Sequence, residues 1–263
     1  MIDKAVIAVA GHGTRMSPVS KIIAKELLPI GTTPVLDFIV DECVRSGVKN
    51  ILFIINRSKV SIPLYFSGVE PEDYNLTGKT YTLLNRQGVS CAYVYQDKAL
   101  GTGHAVKLAK KFVGDDPFGL LFGDDIIVSD VPGLKQLIDL SDKNNGAIVV
   151  AAKHMGAELA SLYATIVSDD FNGSFGKITD IQEKVSPDKI KSDLTSIGRF
   201  VLNKNIFEHI DKIGLRNNEY YLTDALESVI KDENCFVLNV DGVRYDTGNP
   251  EGYAQTFKAL CGY

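Results

Sequence analysis

Tryptophan is absent from this sequence of 263 residues, and cysteine and histidine occur only four times each. The cysteines form no CxxC pair, so we expect buried free thiols rather than a disulfide framework. The histidines form no HExxH motif and no close pair, which argues against a zinc site. The positions are Cys43, Cys91, Cys235 and Cys261, and His12, His104, His154 and His209.

Long apolar runs are also missing. No run approaches the roughly 18 residues that a membrane-spanning helix needs, and the six apolar residues at 5–10 are too few for the core of a signal peptide. With 28 basic against 33 acidic residues, the net charge is −5. We therefore expect a soluble, cytoplasmic protein that has no nucleic-acid or membrane partner.

Apolar runs of strand length alternate with stretches of helical periodicity in the first half of the chain. The runs are 4–10, 50–55, 91–95, 118–122 and 147–152, and the helical stretches are 34–46, 103–112 and 133–143. This alternation indicates βαβ units and a mainly parallel sheet covered on both faces. The second half mixes strand-like segments near 162–168, 176–182, 196–201 and 235–240 with helical patterns at 204–212 and 219–232. Since no linker or repeat interrupts the chain, we predict one α/β domain over residues 1–263, with a small β-rich elaboration.

The segment from Lys4 to Lys25 contains four basic residues and no acidic one, although the chain as a whole is acidic. Within it, the glycine-containing run from Gly11 to Arg15 follows the first strand directly, where free backbone N–H groups favour an anion. This turn matches neither the Rossmann fingerprint, which needs a third glycine at Met16, nor the P-loop. By itself it is also compatible with an ordinary βα turn. The cations that follow it, with Lys21 among them, favour a polyphosphate ligand.

Other polar clusters lie at the predicted ends of strands, where open α/β sheets bind ligands. Gln96 precedes a glycine-rich turn, and Asp124 and Asp125 follow the run 118–122. Adjacent carboxylates repel each other unless a cation or hydrogen bonds compensate them. Hard oxygen ligands suit Mg²⁺. Each of these clusters, and Asp246 beside Gly248, is also typical of a turn or a helix cap.

Residues 10–18 (AGHGTRMSP) and 25–29 (KELLP) resemble the AGxGTRxxP…KExLP signature of the sugar-nucleotide nucleotidyltransferases. The longer motif is most similar to the bacterial-type UTP–glucose-1-phosphate uridylyltransferases of that family. The resemblance implies a Rossmann-like mixed, mainly parallel sheet flanked by helices, the nucleotide-diphospho-sugar transferase fold. It implies a nucleotide-binding half over about 1–130 and a sugar-binding half over about 131–263.

The resemblance also implies roles for residues on the nucleotide side. The glycine loop wraps the nucleotide, and Arg15 and Lys25 act on the reacting phosphates as catalytic residues. The run 96–105 resembles QxxxxGxGHA, in which the glutamine and a glycine read the pyrimidine edge. An amide can pair with both a donor and an acceptor of uracil. The implied nucleotide-binding residues are Ala10, Gly11, Gly13, Thr14, Gln96 and Gly101.

On the metal and sugar side, Gly123-Asp124-Asp125 and Asp246-Thr247-Gly248-Asn249 resemble the family motifs GDD and D[CT]GN, whose acids share one Mg²⁺. We carry over Asp124 and Asp246 as the metal ligands, and Asp125 as a weaker sugar contact. Glu183 and Lys184 resemble the EKP motif that holds the sugar hydroxyls and the sugar phosphate. Segments 197–200 and 219–225 match further landmarks, which are structural or frame the sugar site.

The implied reaction transfers a uridylyl group from UTP to a sugar 1-phosphate, with glucose 1-phosphate first among the sugars, in a homodimer or homotetramer. The chain departs from the family pattern mainly on the sugar side, at Ala164, Val185, Asp193 and Thr195, and it is shorter between residues 66 and 90. Two alternatives therefore stay open. One is a thymidylyltransferase that uses dTTP, and the other is a catalytically silent nucleotide-sugar-binding protein.

Overall fold

The apolar runs of the sequence become strands of one large sheet in the computed structural model, which describes residues 2–66 and 88–262. Most of the shortened segment between 66 and 90 lies outside the described residues. The strands are β1 Lys4–Ala8, β2 Pro29–Ile30, β3 Thr33–Pro34, β4 Asn50–Ile55, β5 Ser90–Tyr95, β6 Phe118–Phe122, β7 Asp125–Val128, β8 Ile148–His154, β9 Ala164–Val167, β10 Phe175–Lys177, β11 Asp180–Glu183, β12 Leu194–Leu202, β13 Cys235–Asn239 and β14 Val243–Asp246. The helices are α1 Val35–Arg45, α2 Ser61–Phe66, α3 Gly101–Leu108, α4 Lys110–Val113, α5 Gly133–Lys143, α6 Ala157–Ala160, α7 Asn205–Lys212, α8 Leu222–Val229 and α9 Pro250–Cys261.

The order across the sheet is β10-β13-β8-β12-β6-β1-β4-β5, with β9 and β11 attached beside β12. Strands β5, β4, β1 and β6 are parallel. Strand β12 runs antiparallel between β6 and β8, and β13 is parallel to β8. The prediction of a mixed, mainly parallel sheet is therefore confirmed. The β-rich elaboration consists of β9, β10 and β11 together with a separate ribbon of β7 and β14.

Alternate residues of the central strands enter cores on opposite faces of the sheet. In β1, Ala5 and Ile7 pack with α1 and α5, whereas Val6 packs with α3, α7 and α8. Because both faces are covered, the central strands are continuous apolar runs without polar alternation. Within the described residues, no helix is long and apolar enough to cross a membrane. All four cysteines are free thiols, two of them buried and two partly buried.

The structure corrects two element boundaries. The predicted strand 176–182 is two strands, because Ile178 N–H bonds to Cys235 O at 2.8 Å and Thr179 N–H to Val167 O at 2.8 Å. The chain thereby changes partner from β13 to β9 between two consecutive residues. The helical pattern 219–232 becomes a helix only at Leu222, since the backbone before it is bonded elsewhere: Tyr220 N–H donates to the carbonyl oxygen of residue 100.

An ion pair buried in the core ties α1 to β12. Arg199 is 0% exposed, and its guanidinium donates to both carboxylate oxygens of Glu42, at 3.0 and 2.8 Å. Its remaining N–H groups reach the carbonyl oxygens of Phe122, at 3.3 Å, and Asp125, at 2.5 Å. Glu42 also accepts from Leu134 N–H at 2.8 Å, which brings α5 into the same network.

Removal of the Glu42 carboxylate leaves the Arg199 charge buried without its partner. We expect Glu42→Ala to lower the free energy of unfolding by about 3–5 kcal/mol, measured by urea denaturation. Asp41→Ala is the matched control on the same helix, because Asp41 forms a half-exposed pair with Arg45 at 3.7 Å. That control should lose no more than about 1 kcal/mol. Equal losses in the two variants would contradict the role of the buried pair.

Candidate active site

A cleft of about 670 Å³ opens beside the ends of β1 and β6 and the β7–β14 ribbon. Seven of the predicted site residues line it: Thr14, Arg15, Asp124, Asp125, Glu183, Lys184 and Asp246. The other six lie outside this lining, in the segments that follow β1 and β5: Ala10, Gly11, Gly13, Lys25, Gln96 and Gly101. The fold therefore brings residues from both halves of the chain to one cleft.

The glycine-rich loop after β1 is shaped by Gly13, whose φ of 66° lies in the left-handed region. Met16 N–H donates to Gly13 O at 2.8 Å, which closes a short 3₁₀ turn over Thr14–Met16. A Cβ on Gly13 would lie 3.3 Å from Lys25 Cδ. Glycine at this position therefore permits both the turn and the close approach of the Lys25 side chain.

Lys25 and Asp124 form an ion pair at the edge of the cleft, with the ammonium on Asp124 Oδ2. Burial acts to raise the pKa of Asp124, but Lys25, with Arg15 and Lys59 nearby, outweighs it and holds that pKa below its usual value. Burial likewise acts to lower the pKa of Lys25, but Asp124 and the neighbouring Glu26 carboxylate raise it. Both groups are therefore charged at neutral pH.

The second predicted metal ligand, Asp246, lies close to Asp124 and Asp125. Strand β14 pairs with β7 in a register that sets Asp246 opposite Asp125. Thr247 N–H and its hydroxyl both donate to Asp124 O, at 2.8 and 2.9 Å. A Cβ on Gly248 would lie 2.6 Å from Asp124 Oδ2 and 3.0 Å from Asp246 Oδ1. The two carboxylates therefore border one small space that glycine keeps open.

Asp125 is 5% exposed, and both of its oxygens have partners. Arg244 Nε donates to Oδ1 at 2.6 Å, and Arg244 Nη2 and Gly198 N–H donate to Oδ2 at 3.2 and 2.9 Å. Burial raises the pKa of Asp125, and Arg244 offsets that rise only in part. Arg244 Nη2 also lies 3.5 Å from Asp246 Oδ2, so one guanidinium bridges the two acids.

The opposite wall of the cleft is formed by β9, β11 and the start of α8. Glu183 faces Ala164 in the antiparallel register, and its Oε2 accepts from the Thr223 hydroxyl at 2.9 Å. Lys184 adopts a φ of 50°, and its half-exposed ammonium lies 5.6 Å from the centre of the Tyr221 ring. This wall presents one carboxylate and one cation to a ligand.

Gln96 uses its amide nitrogen within its own loop, donating to Gly101 O at 3.1 Å and lying 3.1 Å from His104 Nδ1. Both of these contacts are made by the amide nitrogen, and none is made by the amide oxygen. Gly101 has a φ of 84°, and a Cβ there would lie 2.7 Å from Tyr220 O. Gly103 N–H donates to the same carbonyl at 2.8 Å. These glycines therefore also allow the 219–222 segment to pack on the loop.

A family model described as nucleotidyl transferase matches residues 4–262. The chain belongs to the nucleotidyl transferase family. It is 40% identical over 258 residues to the UTP–glucose-1-phosphate uridylyltransferase YngB of Bacillus subtilis, which covers 95% of this chain and 86% of that protein. A crystal structure of a UDP-glucose pyrophosphorylase complexed with UDP-glucose superposes with a TM-score of 0.93 at 30% identity, covering 100% of this chain and 99% of the other. A UTP-bound relative from Acinetobacter baumannii superposes with a TM-score of 0.85 at 28% identity, covering 99% and 93%.

These comparisons confirm the resemblance to sugar-nucleotide nucleotidyltransferases and the predicted fold. Three residues that line this cleft are not among the site residues predicted by number from the sequence: Arg244, Tyr163 and Thr223. Tyr163 donates its hydroxyl to Asp246 Oδ2 at 2.6 Å. A signal for Arg244 was present, because it precedes Asp246 by two positions, and such residues share a face of a strand. Thr223 lies in the segment 219–225 that is expected to frame the sugar site, and Tyr163 directly precedes Ala164, where the chain departs from the family pattern.

The ion pair between Lys25 and Asp124 predicts a pH dependence of stability. The depressed pKa of Asp124 contributes stability that is present above about pH 4 and is lost as the pH falls through its folded-state value. In Lys25→Met, Asp124 loses the cation that lowers its pKa most, so burial raises the pKa of Asp124. We therefore expect the wild type to exceed the variant in unfolding free energy most at about pH 7, and the difference to shrink toward about pH 3. Urea titrations across this range measure it, and a constant difference would contradict the ion pair.

Proposed function

We propose that this chain transfers the uridylyl group of UTP to glucose 1-phosphate and so forms UDP-glucose and pyrophosphate. The observation that carries the proposal is the placement of the charged groups in one cleft. Arg15 borders the same space as Asp124 and Asp246, Lys25 bonds to Asp124, and Glu183 and Lys184 line the same cleft. The names of the relatives support the same reaction.

In the reaction one bond forms and one bond breaks, both at the α-phosphorus of UTP. A phosphate oxygen of glucose 1-phosphate attacks the α-phosphorus of UTP, and the bond from that phosphorus to the oxygen bridging to the β-phosphate breaks. Pyrophosphate leaves with the electron pair. Because the attacking phosphate is already ionised, the enzyme needs no general base. Catalysis then rests on positioning the two phosphates and offsetting their mutual repulsion.

The cations of the cleft are suited to that task. Arg15 Nη2 would lie 3.1 Å from a Cβ on Gly248, so the guanidinium borders the same space as Asp124 and Asp246. We assign Arg15 and Lys25 to the phosphates of UTP. Lys184, on the opposite wall, is assigned to the phosphate of the sugar. Each group offsets charge at a phosphate without giving or taking a proton.

We propose Mg²⁺ as the cofactor, held by Asp124 and Asp246. In residues 2–66 and 88–262, no group of three or more His, Cys, Asp and Glu side chains is arranged to hold a metal ion. Two carboxylates still fit Mg²⁺, which usually binds one or two carboxylates and completes its shell with substrate phosphates and water. When bound, Mg²⁺ would offset negative charge on the reacting phosphates. Lys25 bonds to Asp124 Oδ2, so a metal ion bound at that oxygen would compete with it, and a displaced ammonium would be available to a phosphate.

On the sugar side, Glu183 is positioned to accept hydrogen bonds from sugar hydroxyls. The bond from Thr223 fixes its Oε2, and its Oε1 lies 3.7 Å from Lys184 Nζ. The Ala164 methyl group, buried opposite Glu183, narrows this part of the cleft. Asp125 is assigned an indirect role, because its oxygens are occupied by Arg244 and Gly198. It supports the sugar site by fixing these two neighbours.

Pyrophosphate release with a panel of substrates tests the reaction. UTP, dTTP and ATP are each combined with glucose 1-phosphate, galactose 1-phosphate and N-acetylglucosamine 1-phosphate, with and without Mg²⁺. We expect the highest kcat/KM for UTP with glucose 1-phosphate, and no turnover in EDTA. A preference for dTTP would replace the uridylyl reaction with the thymidylyl one. Binding of UDP-glucose without turnover of any pair would show a silent binding protein.

Asp124→Asn in the same assay tests the site. Because the lost charge acts on the reacting phosphates, we expect kcat to fall by about 10²–10³. Asp130→Asn is the control, since Asp130 is an exposed aspartate a few residues along the chain. Thermal unfolding followed by circular dichroism checks that both variants fold. Near-normal turnover of folded Asp124→Asn would rule out this assignment.

Gln96 predicts discrimination between pyrimidines. Its free amide oxygen can accept from the N3–H of uracil, whereas N3 of cytosine is itself an acceptor. The wild type should therefore prefer UTP to CTP, and Gln96→Leu should reduce that preference by about tenfold to a hundredfold. Lys98→Gln, an exposed change in the same loop, should leave the kcat/KM ratio unchanged. An unaltered ratio in Gln96→Leu would remove this residue from base recognition.

A further inference from the structure

The short segment that follows β4, residues 56–59, contacts both ends of the stretch that carries the nucleotide-binding residues. Asn56 reaches the start of that stretch at Ala10, and Lys59 reaches its end at Glu26. Neither Asn56 nor Lys59 lines the cleft. Because Asn56 and Lys59 are buried, at 7% and 4% exposed, and bond to that stretch, the segment is in a position to hold the loop.

The contact at the far end is a buried ion pair. Lys59 Nζ lies 2.7 Å from both carboxylate oxygens of Glu26, and the two side chains are only 5% and 2% exposed. Burial raises the pKa of Glu26 and lowers that of Lys59, so each group depends on the other to stay charged. A buried pair of this kind is weak evidence for stability, because apolar residues of similar volume often serve equally well.

What the ion pair does provide is a fixed position for Lys25. Glu26 follows Lys25 in the 3₁₀ turn Lys25–Leu27, so anchoring the Glu26 side chain also anchors the backbone of Lys25. The same side chain packs on the strand end that carries Asp124, since a Cβ on Gly123 would lie 3.2 Å from Glu26 Cγ. Through Glu26, Lys59 thereby fixes the position of Lys25 relative to Asp124.

The contact at the near end fixes the entry to the glycine turn. Asn56 Nδ2 donates to Ala10 O at 2.7 Å, and the side chain is buried. Its Oδ1 accepts from Ser58 N–H at 2.9 Å and from the Ser58 hydroxyl at 2.6 Å, so its orientation is set from within the segment. The carbonyl it holds belongs to the residue directly before Gly11.

We infer that Asn56 and Lys59 are positioning residues for the UTP side of the cleft, acting through Ala10 and through Glu26 and Lys25. The inference rests on the proposed function for the identity of the nucleotide. A positioning role differs from a purely structural role in how activity relates to stability, and this relation can be measured. A structural role predicts that activity follows stability, whereas a positioning role predicts that the two separate.

The test compares Lys59→Met with the double variant Glu26→Met/Lys59→Met. The single variant leaves the Glu26 carboxylate buried and unpaired, so it should be the less stable of the two to urea. The double variant should regain stability but keep a kcat/KM for UTP about 10- to 100-fold below the wild type, because the Lys25 ammonium is displaced. The Kd for UTP, measured by calorimetry with Mg²⁺, should rise while the KM for glucose 1-phosphate stays within about twofold.

Arg57→Gln is the matched control, because Arg57 lies in the same segment but is exposed, and its contacts are with the exposed Asp97 and the Tyr95 ring. Asn56→Ala gives a second variant should the double variant fail to fold, and it should likewise weaken UTP binding more than sugar phosphate binding. Wild-type kcat/KM in the stable double variant, or equal effects on both substrates, would overturn the inference. A wild type without pyrophosphate release would instead refute the proposed function, and UTP binding would still test the positioning.

Discussion

The buried bidentate pair between Arg199 and Glu42 is the constraint on which the geometry of the cleft depends. The guanidinium also binds the carbonyl oxygens of Phe122 and Asp125, which flank Asp124 on either side. The backbone around the Asp124 carboxylate is therefore held from within the core. Glu42 lies on α1 and Arg199 on β12, so the packing of α1 against the sheet also fixes the position of Asp124. The acidic cluster can thus remain rigid at a strand end where two carboxylates repel each other.

Pairing of opposite charges continues outward from that core. Lys59 neutralises Glu26, Lys25 neutralises Asp124, and Arg244 bridges Asp125 and Asp246. The innermost pairs are permanent parts of the fold, whereas the pair at the edge of the cleft can exchange its partner for a ligand. A net charge of −5 conceals this arrangement, because the aspartates of the cleft, Asp124, Asp125 and Asp246, are each paired with a cation. The site is thereby suited to anions although the chain as a whole is acidic.

Local sequence patterns predicted the parts of the structure that depend on neighbours in the chain. The central strands follow from continuous apolar runs, and the glycine loops follow from their place after those runs. Contacts between distant residues left no such pattern: Arg199 and Glu42 are 157 residues apart, and Arg244 and Asp125 are 119 residues apart. The β7–β14 ribbon was missed for the same reason, since each of its strands has only four residues and its register appears only once they pair. Helix α9 was also missed, although Asn249 and Pro250 form a helix start, with the Asn249 side chain accepting from Gly252 N–H at 2.9 Å.

The glycine turn after β5 connects the two halves of the cleft. Close approach at Gly101 and Gly103 lets the backbone of Tyr220 bond to the turn on both sides, at 2.8 and 2.9 Å. Three residues further along, Thr223 holds the carboxylate of Glu183. The loop that bears Gln96 and the cleft wall that bears Glu183 are therefore joined by one short stretch of chain. A larger residue at either glycine would push that stretch away and so disturb the sugar wall as well as the nucleotide side. The motif that resembles a nucleotide-binding turn in the sequence thus also anchors the segment that leads to Thr223.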